Sequence, residues 1–188
     1  MRKFTTYLVM VLVVMGLIGC AGPKPLPETS EGKIPSWFLN VPEDPNYLYG
    51  TGTGTSRDMS LAIDKASTDA RAKIARTVEV RVMSMQKKFD QEVGIGDDAE
   101  LLQMFTQATK VVTSTALSGS RVKQQDVQKD GNNWRGYVLM EYPIGAANQA
   151  LLQQLKNNQN MYTRFRESQT FKDLESEVDK FEEWKKAQ

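Results

Sequence analysis

The chain has 188 residues, with 24 Lys and Arg, 23 Asp and Glu, no histidine and one cysteine. A net charge of +1 supplies no basic patch for nucleic acid. Without histidine, a Ser-His-Asp triad, a His-ligated zinc and an imidazole proton shuttle are all excluded. A single cysteine closes no internal disulfide and builds no CxxC site. A hydrophobic share of 40% with 25% charged residues is ordinary for a globular protein, and the length suits one domain with appendages.

The N-terminus reads MRKFTTYLVMVLVVMGLIGC. Arg2 and Lys3 form a short basic start, and Tyr7 to Ile18 form an apolar run. A mature membrane-spanning helix needs roughly 20 apolar residues, and this run is shorter. It has the length of a signal-peptide core instead. The run ends in Leu17-Ile18-Gly19-Cys20, which looks like the bacterial lipobox. That resemblance implies cleavage between Gly19 and Cys20, with diacylglycerol on the Cys20 thiol and an acyl chain such as palmitate on its new amino group. Each buried methylene contributes about 0.8 kcal/mol, so two or three chains hold a protein firmly where one binds reversibly. By resemblance to proteobacterial sorting rules, Ala21 after the cysteine favours the outer membrane. Loss of Arg2 and Lys3 leaves 22 basic against 23 acidic residues, so the mature chain is marginally acidic.

Residues 21–34 carry Pro23, Pro25 and Pro27 and few apolar groups, which reads as an extended tether. Pro35 to Pro42 is a proline-bounded aromatic segment. Its Trp37 and Phe38 either pack on the core or form a patch for a partner.

Tyr47 to Thr53 reads as a first strand. Ser56 or Asp58 then caps a helix whose small apolar stripe is Met59, Ala62, Ala66, Ala70 and Ile74. An alanine stripe lets a helix approach a sheet closely. From Thr77 to Met85 the pattern alternates, Val78, Val80 and Val82 against Glu79, Arg81 and Met83, and predicts a second, half-buried strand. Gly94 to Glu100 is a loop whose Asp97, Asp98 and Glu100 suit a helix start. A helix with Leu101, Phe105, Ala108, Val112 and Ala116 on one face follows. Arg121–Lys129 and Trp134–Tyr142 flank Asp130-Gly131-Asn132-Asn133, a hairpin signal. Ala146–Leu155 is a helix after Pro143. The order predicts an α+β domain over 35–157, a small antiparallel sheet with helices on one face. Residues 158–188 read as an amphipathic helix with Phe171, Leu174, Val178 and Phe181 in its seam. That seam either packs back on the domain or pairs with another protomer.

Gly50, Gly52 and Gly54 lie between a strand and a helix, where phosphate loops also lie. Their GxGxG spacing matches no nucleotide fingerprint, and glycines easing a turn explain them. Asp97, Asp98 and Glu100 lack the alternating ligand pattern of a calcium loop. No serine sits in a GxSxG elbow. These readings leave no catalytic residue, no metal site and no cofactor.

Three ordered segments carry a family resemblance: Ile34 to Pro42 with its P-x-W start, Tyr47 to Thr53 with its Y-x-x-G-x-G strand, and the Ala62, Ala66, Ala70-Arg71 helix running into Val78 to Val80. Together with the lipobox they resemble the LPP-twenty lipoprotein family across roughly residues 34–145. The resemblance implies a dodecin-like α+β core, and it extends to flagellar outer-membrane lipoproteins of the FlgP type and to relatives of FlgT. FlgP-type members build disks or rings around flagellar motors, so it implies an assembling structural protein and carries over no catalytic residue. The expectation is an outer-membrane lipoprotein on the periplasmic side, anchored at Cys20. It would form homo-oligomers or scaffold a cell-envelope complex such as the flagellar basal disk. The alternative is a monomeric tethered module binding peptidoglycan or an envelope enzyme.

Overall fold

The computed structural model describes residues 34–96 and 98–187. Its elements are α1 (Ser36–Leu39), β1 (Tyr47–Ser56), α2 (Met59–Val93), α3 (Ala99–Gly119), β2 (Arg121–Asp130), β3 (Asn133–Pro143), α4 (Ile144–Asn157), α5 (Gln159–Phe165) and α6 (Gln169–Lys186). The strands form one antiparallel sheet in the order β1-β3-β2, and Gly131, at φ 57°, takes the left-handed position in the β2–β3 turn. The architecture is α+β, as the hydrophobic periods predict.

Helix α2 organises the domain. Asp58 caps its start, its carboxylate accepting the Leu61 N–H at 2.8 Å. Gly94 closes it in the left-handed conformation that favours glycine, at φ 70°. The Asp90 carboxylate then holds the chain beyond, accepting the Ile95 and Gly96 N–H groups. Ala62, Ala66 and Ala70 are fully buried against β1 and β3. Facing them, Gly50, Gly52, Gly54 and Gly136 leave no room for a Cβ beside the α2 backbone and side chains. These glycines therefore lie within the sheet and admit the helix. The turn role that the spacing suggested belongs to Arg57 and Asp58 instead.

The expected second strand at Thr77–Met85 is not a strand; α2 runs straight through it to Val93. The valines fit both periods over so short a window. The stripe that includes Ala66, Ala70 and Ile74 continues at the helical spacing through Val78 and Val82, which are buried, whereas Val80 is 63% exposed. Tertiary burial overrides the β-preference of branched side chains. At the stripe's other end, Met59 is exposed.

A helix of 35 residues is about 52 Å long, well past the end of a ten-residue strand. Its overhanging half meets α3 and α5 through a trio of rings, Phe89, Phe105 and Phe165, with centroids 4.7–5.9 Å apart. Helix α3 starts at Asp98, whose carboxylate accepts the Leu101 N–H, and buries Leu101, Phe105, Ala108, Val112 and Ala116 as expected. Helix α6 packs back on α2 and α4. Phe171 and Leu174 are each 1% exposed, Val178 is buried, and Phe181 fills the space left by the missing side chain of Gly145. Of the two destinations open to that seam, the chain's own core takes it.

Candidate functional site

Side chains at alternate positions of a strand share a face. Leu48, Gly50, Gly52 and Gly54 of β1 face α2 with Val138, Met140 and Tyr142 of β3. The opposite, outer face carries Tyr47, Tyr49, Thr51 and Thr53 beside Glu141, Leu139 and Tyr137. At the far strand, Arg121 pairs with Glu141, and an irregularity between Val122 and Gln124 places Lys123 where it reaches the same carboxylate.

The result is a compact charged and aromatic cluster. The buried Glu141 carboxylate accepts from Arg121 Nε at 2.8 Å and pairs with Lys123 Nζ at 3.0 Å. Lys123 also donates to Tyr49 Oη at 2.9 Å and lies 4.7 Å from that ring's centroid. Arg121 donates to Tyr47 Oη at 3.4 Å. Tyr47 meets Trp184 of α6 edge-on at 5.7 Å, and Trp184 stacks on Phe181. Hydrogen bonding to Glu141 pushes the Arg121 guanidinium further up from its already high range. The Tyr49 hydroxyl first, and Glu141 second, push the Lys123 ammonium up. Two cations share one buried anion, so the cluster presents a positive, hydrogen-bond-donating surface ringed by tyrosines.

Phe38 meets Tyr137 edge-on at 5.0 Å, and Trp37 lies 6.2 Å from Phe38. Both are half-buried, so α1 lies on the outer face. Phe171, Leu174 and Val178 are closed off inside the domain, and the interface role considered for them gives way to packing on α2 and α4. Gly19, Cys20 and Asp97 lie outside the described residues. The outer cluster itself escaped the sequence reading. Its signal was the pair of two-residue spacings Tyr47-x-Tyr49 and Arg121-x-Lys123, which acquires meaning only once the strand register is known.

A second feature is a cavity of about 460 Å³ between α3 and the α4–α5 corner. Gln103, Gln107, Gln154, Asn157 and Asn158 line it with Glu100, over Met104 and Met161. Carboxamides both donate and accept, which suits a neutral polar guest. Among the described residues no group of three His, Cys, Asp or Glu side chains is placed to hold a metal ion. No helix among them is long and apolar enough to cross a membrane.

These features define a small α+β domain whose sheet carries α2 on one face and a tyrosine-ringed cationic cluster on the other. The family model of the LPP20 lipoprotein matches residues 35–142, from the residue before α1 to the last residues of β3. The match covers more than half of the chain, and the protein belongs to the LPP20 lipoprotein family, a family of envelope lipoproteins. Helices α4–α6 lie beyond the matched region. No curated protein matches the chain.

Proposed function

We propose that this lipoprotein is a non-enzymatic structural component of an outer-membrane assembly, anchored through Cys20 and facing the periplasm. The observation that carries the reading is the alignment of three boundaries. The lipobox ends at Cys20, a proline-rich segment follows, and the family match begins at Pro35, the residue before α1. Such an order ties a folded domain to a lipid surface through a short spacer. The FlgP-type resemblance points to the flagellar basal disk as the assembly, built from several copies of the chain.

Two measurements test this. Acyl-probe labelling in cells should be lost on Cys20→Ala, and equal labelling of that variant overturns the anchor. A deletion strain should lose motility and disk density in electron cryotomograms. A motile strain with an unchanged disk removes the flagellar part and leaves the anchor standing.

The carboxamide-lined cavity favours a second reading, a monomeric tethered module for a polar envelope ligand such as peptidoglycan. Soluble muropeptides should then shift the amide resonances of Gln103 and Gln107, and leave them unmoved under the first reading.

A further inference from the structure

The two edges of the sheet are unlike. Outward-facing backbone groups at Thr51, Thr53 and Thr55 of β1 are taken by side chains from α2. Lys73 Nζ donates to the Thr51 carbonyl at 2.6 Å, the Thr53 N–H donates to Asp69 at 3.3 Å, and Lys65 Nζ donates to the Thr55 carbonyl at 3.2 Å. That edge is closed to further strands. Along β2 no strand pairs on the outer side among the described residues, although the strand runs ten residues and is exposed over most of them. An unpaired strand of that length is a template for another strand unless something covers it.

The Val127 N–H shows which residues face outward: it donates to the neighbouring Asp126 carboxylate at 2.8 Å instead of to β3. By antiparallel alternation, Gln125, Val127 and Lys129 turn their N–H and C=O groups to the open edge. We propose that β2 is the surface through which two copies of this chain associate. The strands would pair antiparallel about a two-fold axis perpendicular to the sheet, extending three strands to six. The proposal deepens the assembly reading and rests on it for its setting.

Charge selects both the occupant and the register. With Val127 on the axis facing its own copy, Gln125 lies opposite Lys129, Asp126 opposite Gln128, and Gln124 opposite Asp130. No like charges oppose one another over residues 124–130. Sliding two residues in total one way sets Asp126 against Asp126, and sliding the other way sets it against Asp130, each costing the pairing. At the favoured register the two Val127 residues exchange both main-chain bonds, replacing the local bonds to Asp126. Because β1 is closed, β2 of one copy has no β1 edge to join on the next. The contact is isologous and stops at two, so a ring or disk would be built from dimers through other surfaces.

The test uses the full chain in detergent, with wild type and variants sized by sedimentation at high micromolar concentration. Val127→Pro removes an N–H that the monomer's ladder does not use, at an edge position where proline is tolerated. It should weaken dimerisation about tenfold or more while circular dichroism stays unchanged. Gln125→Lys, which sets two lysines opposite, should weaken it without touching the backbone. Val127→Cys should give a disulfide-linked dimer in the cell envelope, since paired Cα atoms about 5.5 Å apart fall within disulfide reach. A monomeric wild type with no Val127→Cys cross-link overturns the proposal. So does an association that folded Val127→Pro and Gln125→Lys both leave intact. Neither result depends on acyl labelling, so failure of the anchor would be seen separately.

Discussion

Gly52 of β1 and Ala66 of α2 meet backbone to backbone: a Cβ on Gly52 would overlap the Ala66 carbonyl oxygen. The same holds along the strand, where Gly54 and Gly50 sit beneath the Ala62 and Ala70 carbonyls. Two small-residue stripes have thus been brought into register, one at period two and one near period four. The seat is made of backbone, which cannot swing aside as a flexible side chain would.

Gly52→Ala should therefore cost about 1–3 kcal/mol or more, the range for overpacking a filled interior. Thr55→Ala, at an exposed position of the same strand, should stay within about 0.5 kcal/mol. Urea unfolding of the two variants measures the contrast, and equal costs would show that the close approach is not the constraint.

The Glu141 cluster predicts an order of losses. Arg121→Ala with Lys123→Ala leaves a buried carboxylate without its two cations and should cost about 1–3 kcal/mol. Glu141→Gln leaves the cations in positions where solvent reaches them, and should cost less. Denaturant midpoints decide, and the reverse order would mean that the buried Glu141 carboxylate does not depend on Arg121 and Lys123.

How far the sequence disclosed this architecture depends on which signals were local. Asp58, Gly94, Asp98 and Gly131 mark ends and turns through their own backbone chemistry, and each serves as such. Val78, Val80 and Val82 do not, because three valines at alternate positions satisfy a strand and a helix alike. Only the burial of Ile74 before them and Phe89 after them decides for the helix. The seam of α6 was visible, but Phe171 and Leu174 look the same whether the partner surface is their own chain or another. The outer cluster needed the register Tyr49↔Glu141 and Arg121↔Glu141, which no window along the chain contains.

The docking of α6 should depend on pH. The Thr170 hydroxyl and its backbone N–H both donate to the Glu92 carboxylate, with O···O 2.5 Å and N···O 3.1 Å. The Thr170 hydroxyl above all holds Glu92 below the usual carboxylate range. A lowered folded-state pKa contributes stability that is present above the unfolded value and lost as pH falls through the folded one. Amide exchange in α6 should therefore quicken as pH falls below about 4, after correction for intrinsic exchange rates. Thr170→Val should flatten that dependence. A variant with the same acid response would clear Glu92 of the effect.

Tyr142 predicts the opposite limb. Its hydroxyl is buried and has no hydrogen-bond partner among the described residues. Burial pushes the phenol up, because the ionised form would lose its water. The folded state then keeps the proton while an unfolded chain gives it up near its ordinary value of about 10. Stability on this account is full below that value and falls as pH rises through the folded one. Tyr142→Phe removes an unsatisfied polar group, so it should be neutral or raise stability by up to about 1 kcal/mol at neutral pH. Near pH 10.5, roughly where a free tyrosine is mostly ionised, the gain over wild type should widen. Thermal melts of both proteins at the two pH values measure the difference. A variant that melts lower than wild type at both would mean that the hydroxyl has a partner in solution.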